Sequence, residues 1–546
     1  MARPEITRAQ DAVFVSQCSL AALRERLPLH WPLPAHTPAS PKLSYRSCYQ
    51  YLGWEELKEP DCWNELDDFD LLLRLIDFSP LRNVLAEQLG WVSAKGQVPF
   101  DPLSLCLLTF WQISNGWSRA ETLRNLRKER YADYAILFGF REGVFPSEGG
   151  LRHFLTTLGK NSTASGEVIP VQQGEKTSEI AVQQLNQLIA QSVDLLRESG
   201  VLPELAWQQA LLCPDGQIHE AASRMRCQNV SASCYQPAPR GCPAQEKDFR
   251  GCDCDTPGCA QVCKRATPQD PEARYVWYTG DNQKDDKDGQ GFYGYRSLPL
   301  QLVDPQRRFS LTLLDDVRPA NQHEEVPASA LLLQLAGDYP TLQIDAVAGD
   351  AGYGFDVFLH TVYAHLHARR VINLRSHQTD LDQKNWVVRG YDDCGRPICP
   401  YGYSLVFNGY DRTRQRSKWV CQQVCLKNTD PKVQLPQVSY PPLDCPYRQT
   451  DHPHGRIVNL GARFPDGSIR LARDLPVTSP TWKALYHRAR NAVEGRNATF
   501  EAWGFKRLSV FGLPRVTATV FLADVLNNLT TLARLIRQAT LAQHHP

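Results

Sequence analysis

Apolar residues recur at three- and four-residue spacing from about Asp61 to Gly159, a period that predicts helices. FDLLLRLIDFSPLRNVLAEQL, DPLSLCLLTFWQIS and SRAETLRNLRKERYADYAILFGF each carry such a stripe. Two of them open on start signals. Asp101 before Pro102 reads as an N-cap with proline in the first turn, and Ser118 ahead of Glu121 as a capping box. Residues 61–159 are therefore expected to form a small helical domain. Residues 1–60, punctuated by Pro and Trp (LPLHWPLPAHTPASP), lack a helical period and read as an extended arm.

A polar link over 160–177 leads into a long amphipathic helix, EIAVQQLNQLIAQSVDLLRES, that ends at Gly200. The pattern then changes to short apolar runs. WQQALLCPDGQIHEA, GFYGYRSLPLQLV, RFSLTLL, LQIDAVAGDAGYG and RRVINLR predict strands, with helices at about 327–337 and Phe355–His367 between the later ones. Residues 376–475 are rich in strands and turns and read as a β-rich insertion. Ser479 and Pro480 then cap a terminal helical region, WKALYHRARNAVEGRNATFEAWGF, followed by the apolar helix VTATVFLADVLNNLTTLARLI. With the interruptions removed, the order is three strands, a helix, a strand, a helix, a strand and terminal helices. That order predicts an α/β fold, a mixed sheet with helices on both faces, spanning residues 178–375 and 476–546.

Composition adds bounds. At 546 residues the chain exceeds one ordinary core, since domains average about 150 residues. A hydrophobic fraction of 42% and a charged fraction of 22% describe a globular chain and exclude a disordered one. No apolar run reaches the ~18 residues of a membrane span, and MARPEITRAQDAVFVSQ lacks a secretory layout, so a cytoplasmic protein without membrane association is expected.

Seventeen cysteines change that picture. Seven fall between 227 and 263, in a segment of mostly Gly, Pro, Asp and Lys that cannot build its own core. A second group is Cys394, Cys399, Cys421, Cys425 and Cys445. Clustered thiols in a reducing compartment point to structural Zn²⁺, with Cys252, Cys254, Cys259 and Cys263 as one candidate ligand set. Cys399, Cys421, Cys425 and Cys445 form the other. Their spacings depart from the usual two-to-four-residue knuckle, so free, partly buried thiols remain the alternative for both groups. The isolated Cys18, Cys48, Cys62, Cys106 and Cys213 read as packing residues.

The acids carry the chemistry. Asp215 and Asp350 lie where predicted strands end, beside glycines, and strand ends of an α/β sheet are where ligand-bearing groups collect. A third acid from the terminal helix would complete an oxygen-only site suited to Mg²⁺ or Mn²⁺. Two such ions can activate a nucleophilic hydroxyl and stabilise the leaving oxygen of a phosphodiester. Tyr486, Arg490, Glu494, Asn497 and Glu501 share one helical stripe, which leaves Glu494 and Glu501 both open as that acid. The plain alternatives are an Asp-Gly turn at 215 and a surface ion pair at 490–494. Asp315, Asp316 and Asp345 read as turn or solvated-face residues, and His219 and His323 as structural.

These segments resemble the DDE transposases of bacterial insertion sequences, in the group with a β-rich insertion before the catalytic glutamate. The carrying residues are CPDG around Asp215, AVAGDAGYG around Asp350 and YHRARNAVEGRNATFEAWGFKRL around Glu494, with PFDPLSLCLLTFWQISNGWSRAETLRNLRKERY upstream and GRPICPYGYS…CPYR in the insertion. The resemblance spans about residues 95–540. It implies an RNase H-like core, a DNA-binding helical domain at 61–159, and Mg²⁺-dependent cleavage at element ends with strand transfer into target DNA. By position it implies Asp215, Asp350 and Glu494 as catalytic metal ligands, with Arg490 matching the arginine four before the glutamate. The spacing departs from the family's tyrosine–arginine–glutamate–lysine pattern: Tyr486 is one residue too far from Arg490, and Glu501 stands where the lysine is expected, so Lys506 is the substitute. The implied partner is double-stranded DNA, both terminal repeats and target, bound by a homodimer.

The formal net charge is only +1. From Thr481 to Pro546, however, nine Lys/Arg face three acids, a local +6. Arg488, Arg490, Arg496 and Lys506 surround Glu494, and the insertion adds Arg412, Arg414, Arg416 and Lys418. A local, salt-sensitive DNA surface is expected, with Arg488, Arg490, Arg496, Lys506, Arg414 and Arg416 as its contacts.

Overall fold

The computed structural model describes residues 67–76, 78–89, 100–131, 134–135, 138–140, 144–160, 167–168, 179–180, 182–222, 270, 272–278, 290–304, 309–373, 390–391, 396–399, 403–411, 413, 416–423, 454–460 and 480–544. The expected arm at 1–60, Cys252, Cys254, Cys259, Cys263, Cys425, Cys445 and Arg414 lie outside the described residues.

The first helical stripe forms two helices, α1 (Asp68–Leu75) and α2 (Ser79–Gln88), because Pro80 cannot continue a helix interior but fits a first turn. Helix α3 (Pro102–Ser114) starts as expected, with the Asp101 carboxylate accepting from the Leu103 amide at 2.9 Å. In α4 (Arg119–Leu126) the Ser118 hydroxyl accepts from the Glu121 amide, but the helix stops at Leu126, well short of the predicted stripe. Helices α5 (Glu148–Lys160), α6 (Val182–Glu198) and the short α7 (Glu204–Gln208) follow.

Beyond α7 the chain runs through β1 (Ala210–Pro214), β2 (Gln217–Glu220), β3 (Arg274–Tyr278), β4 (Gln290–Ser297), β5 (Leu300–Asp304), β6 (Phe309–Leu314) and β7 (Val317–Pro319). GFYGYRSLPLQLV, expected as one strand, is divided at Leu298-Pro299 into β4 and β5, which belong to different sheets. Proline has no amide for a ladder, and the Asp315 carboxylate accepts from the Leu298 amide, pinning the break. Then come α8 (Glu325–Asp338), β8 (Ile344–Gly349), α9 (Asp356–His360, continued by a π turn over Thr361–His365) and β9 (Arg369–Ile372). The described part of 376–475 contains the antiparallel sheet β10 (Val406–Asp411), β11 (Arg416–Val420), β12 (Ile457–Leu460). Two helices finish the chain, α10 (Pro480–Ala502) and α11 (Leu513–His544).

The central sheet is mixed and five-stranded, in the order β9-β8-β1-β5-β6. β8 runs parallel to both β9 and β1, whereas β5 and β6 are antiparallel. Side chains alternate between its faces. Leu211, Cys213, Val303, Ala346, Ala348 and Val371 pack under α10, meeting Trp482, Ala489, Ala492 and Val493. Leu212, Leu300, Leu302, Val347 and Ile372 point the other way, into the core that includes α6, α8 and α11. The fold is thus α/β with helices on both faces.

The helices of 61–159 have no core of their own. One continuous apolar cluster joins Leu71, Phe110 and Phe154 to Phe521 and Leu529 of α11. Approach is close enough that a β-carbon on Gly159 of α5 would collide with the Pro514 carbonyl of α11. No membrane-length run was expected. Leu513–Ala539 nevertheless has that length and apolar character, and its apolar window is wholly buried inside the fold. It is a core helix.

Candidate active site

Parallel pairing decides where the two aspartates meet. Leu212 of β1 stands opposite Val347 of β8, so three residues further on Asp215 and Asp350 leave the same sheet edge level with each other. Asp350 is fixed by a turn in which its Oδ1 accepts from the Gly352 amide at 2.7 Å. Burial raises its pKa above the usual carboxylate range; Arg490 opposes this, and the like charge of Asp215 adds to it.

Helix α10 crosses all five strands on small residues, Ala489 and Ala492 against Ala346 and Ala348, which brings its polar stripe to this edge. Arg490 Nη1 donates to Asp215 Oδ1 at 2.6 Å, and Asn497 Nδ2 donates to Asp215 Oδ2 at 2.7 Å. Arg490 Nη2 also lies 3.8 Å from Glu494 Oε1. The arginine therefore stands between two carboxylates. Burial works against its charge, but Asp215 holds its pKa well above the ordinary value. Glu494 is exposed, and so is Glu501, two turns on; Glu494 is the acid that adjoins Arg490. Tyr486 stacks on Trp482 with centroids 4.5 Å apart. Below Asp215, burial first and then the Asp215 charge push the Cys213 thiol far up, so it stays neutral.

One acid here was not anticipated. Glu324, just before α8, accepts from Arg296 at 2.8 Å and from the Tyr353 hydroxyl at 2.9 Å. Its carboxyl carbon would lie 2.5 Å from a β-carbon on Gly216, so it presses on the turn that carries Asp215. Tyr353 belongs to the Asp350 turn. Glu324 thus ties the two aspartate turns together, and burial, with added repulsion from Asp350 and Asp215, raises its pKa. Nothing around His323-Glu324 in the chain marks this position; only the packing of Gly216 reveals it.

The expected DNA contacts divide. Arg488, Lys506 and Arg416 are exposed, as a phosphate contact requires. Arg496 is not: its side chain is fully buried, bonded to Asp524 at 2.9 Å and to Gln217 at 3.0 Å and stacked on Phe500. The expectation of a DNA contact there is corrected, because α10 turns this residue inward against α11. Asp315 and Asp316, expected at the surface, are also buried. Asp315 lies 3.5 Å from Arg496 Nη2, and burial together with Asp524 raises its pKa well above the usual range. His219 is structural as expected, fully buried between the Phe505 carbonyl and the Ser297 hydroxyl, and burial lowers its pKa to about 4.

In the insertion, the Tyr403 amide approaches the Cys399 sulfur at 3.4 Å, and Cys421 packs on Gly455. Among the described residues, no three His, Cys, Asp or Glu side chains converge as a metal site. Asp215 and Asp350 fit a hard divalent cation in donor type, and the guanidinium drawn to Asp215 shows that this edge attracts positive charge. No family model and no curated protein matches the chain.

Proposed function

We propose that this chain is a DDE-type transposase with an RNase H-like core, cutting DNA at the ends of an insertion sequence and joining them to target DNA. One observation carries the reading: Asp215 and Asp350 leave adjoining parallel strands level with each other, and α10 lays Arg490 and Glu494 over that edge. The strand order, three antiparallel strands extended by two parallel ones, supports the RNase H-like assignment.

Bound Mg²⁺ or Mn²⁺ would supply Lewis-acid stabilisation of the attacking and leaving oxygens. Asp215, Asp350 and Glu494 are the residues to hold it. Asp215 must then exchange the Arg490 and Asn497 bonds, which frees a guanidinium and an amide beside the scissile phosphate. Arg490 is placed to neutralise phosphate charge there, and Arg488 and Lys506 to grip the flanking backbone. Element ends act in pairs, so two copies of the chain are proposed on the DNA, in the bacterial cytoplasm.

A second reading is a zinc-bearing DNA-binding protein without catalysis. The engagement of both Asp215 oxygens by Arg490 and Asn497 favours it. Nicking of a duplex bearing the element's own terminal repeats separates the two. We expect Mg²⁺-dependent cleavage by the native chain and losses of at least about a hundredfold in Asp215→Asn, Asp350→Asn and Glu494→Gln. Full activity in any one variant removes that residue from the site, and tight binding with no cleavage by the native chain establishes the second reading.

A further inference from the structure

Arg119 opens α4 with a side chain only 8% exposed, and its Nε and Nη1 atoms are buried without a hydrogen-bond acceptor. Its nearest acid among the described residues is Glu148, whose half-exposed carboxylate reaches no closer than 3.9 Å. Arg152, one turn beyond Glu148 on α5, and Arg515, in the first turn of α11, add like charge to the same place. Burial, followed by these two arginines, lowers the Arg119 pKa, with Glu148 in opposition. A buried guanidinium held among cations without a matched carboxylate is an unfavourable arrangement by itself. An anion removes the penalty, and three guanidinium forks suit a tetrahedral oxyanion better than a carboxylate.

We propose that Arg119, Arg152 and Arg515 form a phosphate-binding pocket, and that its ligand is a backbone phosphate of the DNA held at the Asp215–Asp350 edge. The choice of DNA over free phosphate rests on the transposase reading; the pocket itself does not. A chain of contacts links the two places. Strand β2 leaves Asp215, and Glu220 at its end bonds the backbone of Lys506 and Leu508. Trp503 and Gly504, just before them, pack on Gly116, three residues from Arg119. The exposed Lys506 and Arg507 lie along this route, so a duplex entering the acidic edge passes basic groups on its way to the pocket.

The test uses the full chain, Arg119→Met and the more exposed Arg152→Gln and Arg515→Gln. In the first arm, melting is compared in sodium phosphate and sodium chloride at equal ionic strength. The native chain gains stability from phosphate. Arg119→Met loses that gain yet melts no lower than the native chain in chloride, because it sheds an unpaired buried charge. In the second arm, duplex binding without divalent metal is followed against salt. Each variant flattens the slope of log K against log[salt] by about 0.9 for a lost phosphate contact. Native slopes in all three variants, or a lower-melting Arg119→Met that keeps the phosphate gain, overturn the pocket. A native chain stabilised by phosphate that binds no duplex overturns the DNA assignment in favour of a free phosphate. Duplex binding through the pocket without cleavage leaves this proposal standing and removes the transposase chemistry instead.

Discussion

Asp215 and Glu494 carry the same charge under opposite conditions. Asp215 is buried with Arg490 and Asn497 as partners, so Asp215→Ala strands a partly buried guanidinium and is expected to cost about 3 kcal/mol. Glu494 is solvated and only at the edge of Arg490's reach, so Glu494→Gln should change stability by less than about 0.5 kcal/mol. Urea titrations decide this; equal losses would mean that Glu494 is as embedded as Asp215. His219 gives a pH prediction. Its imidazole is neutral in the fold with a pKa of about 4 against 6.5 free, so protonation favours the unfolded chain. Its contribution is complete above pH 6.5 and is lost as pH falls to 4. That loss amounts to about 3 kcal/mol. His219→Gln should flatten the stability profile over that window, and an unchanged acid limb would assign the loss to other groups.

At the level of elements, α10 is two things at once. One face carries Arg490, Glu494 and Asn497 to the acidic edge; another buries Arg496 against Asp524 and Asp315. Arg496→Ala removes the only cation from two buried carboxylates and should destabilise the fold by roughly 3–5 kcal/mol. The salt slope of DNA binding in the folded fraction should stay native; a flatter slope would restore Arg496 to the DNA surface. The stripe of α10 was legible in the chain because a helix sets steps of three and four, as was the Asp350 strand end with its glycines. Arg496 was misassigned for a related reason. Local charge counts see no partner 28 residues away on another helix, and Asp524 was invisible as its counter-ion. Strands β4 and β5 were fused because Pro299 reads as an edge-strand residue until the Asp315 carboxylate is seen holding Leu298. Glu324 was missed since it meets Gly216 only across the fold.

At the scale of the molecule, cysteine chemistry is the expectation least bound to the catalytic edge. Elemental analysis of the full chain purified without added metal should give near-stoichiometric zinc, and a metal-free, monodisperse protein would end the structural-zinc idea. The apolar cluster, by contrast, leaves no doubt about what unites the chain. Helix α11 is its beam, touching α1, α3, α5, α6 and β6, and every one of those partners precedes it. A nascent polypeptide emerging from the ribosome therefore exposes the apolar sides of five earlier elements until α11 itself is synthesised. The catalytic helix α10 also arrives just before it. The acidic edge cannot assemble while translation is still under way upstream of α10, and chaperones have more than four hundred residues of unfinished surface to shield until the last beam is laid.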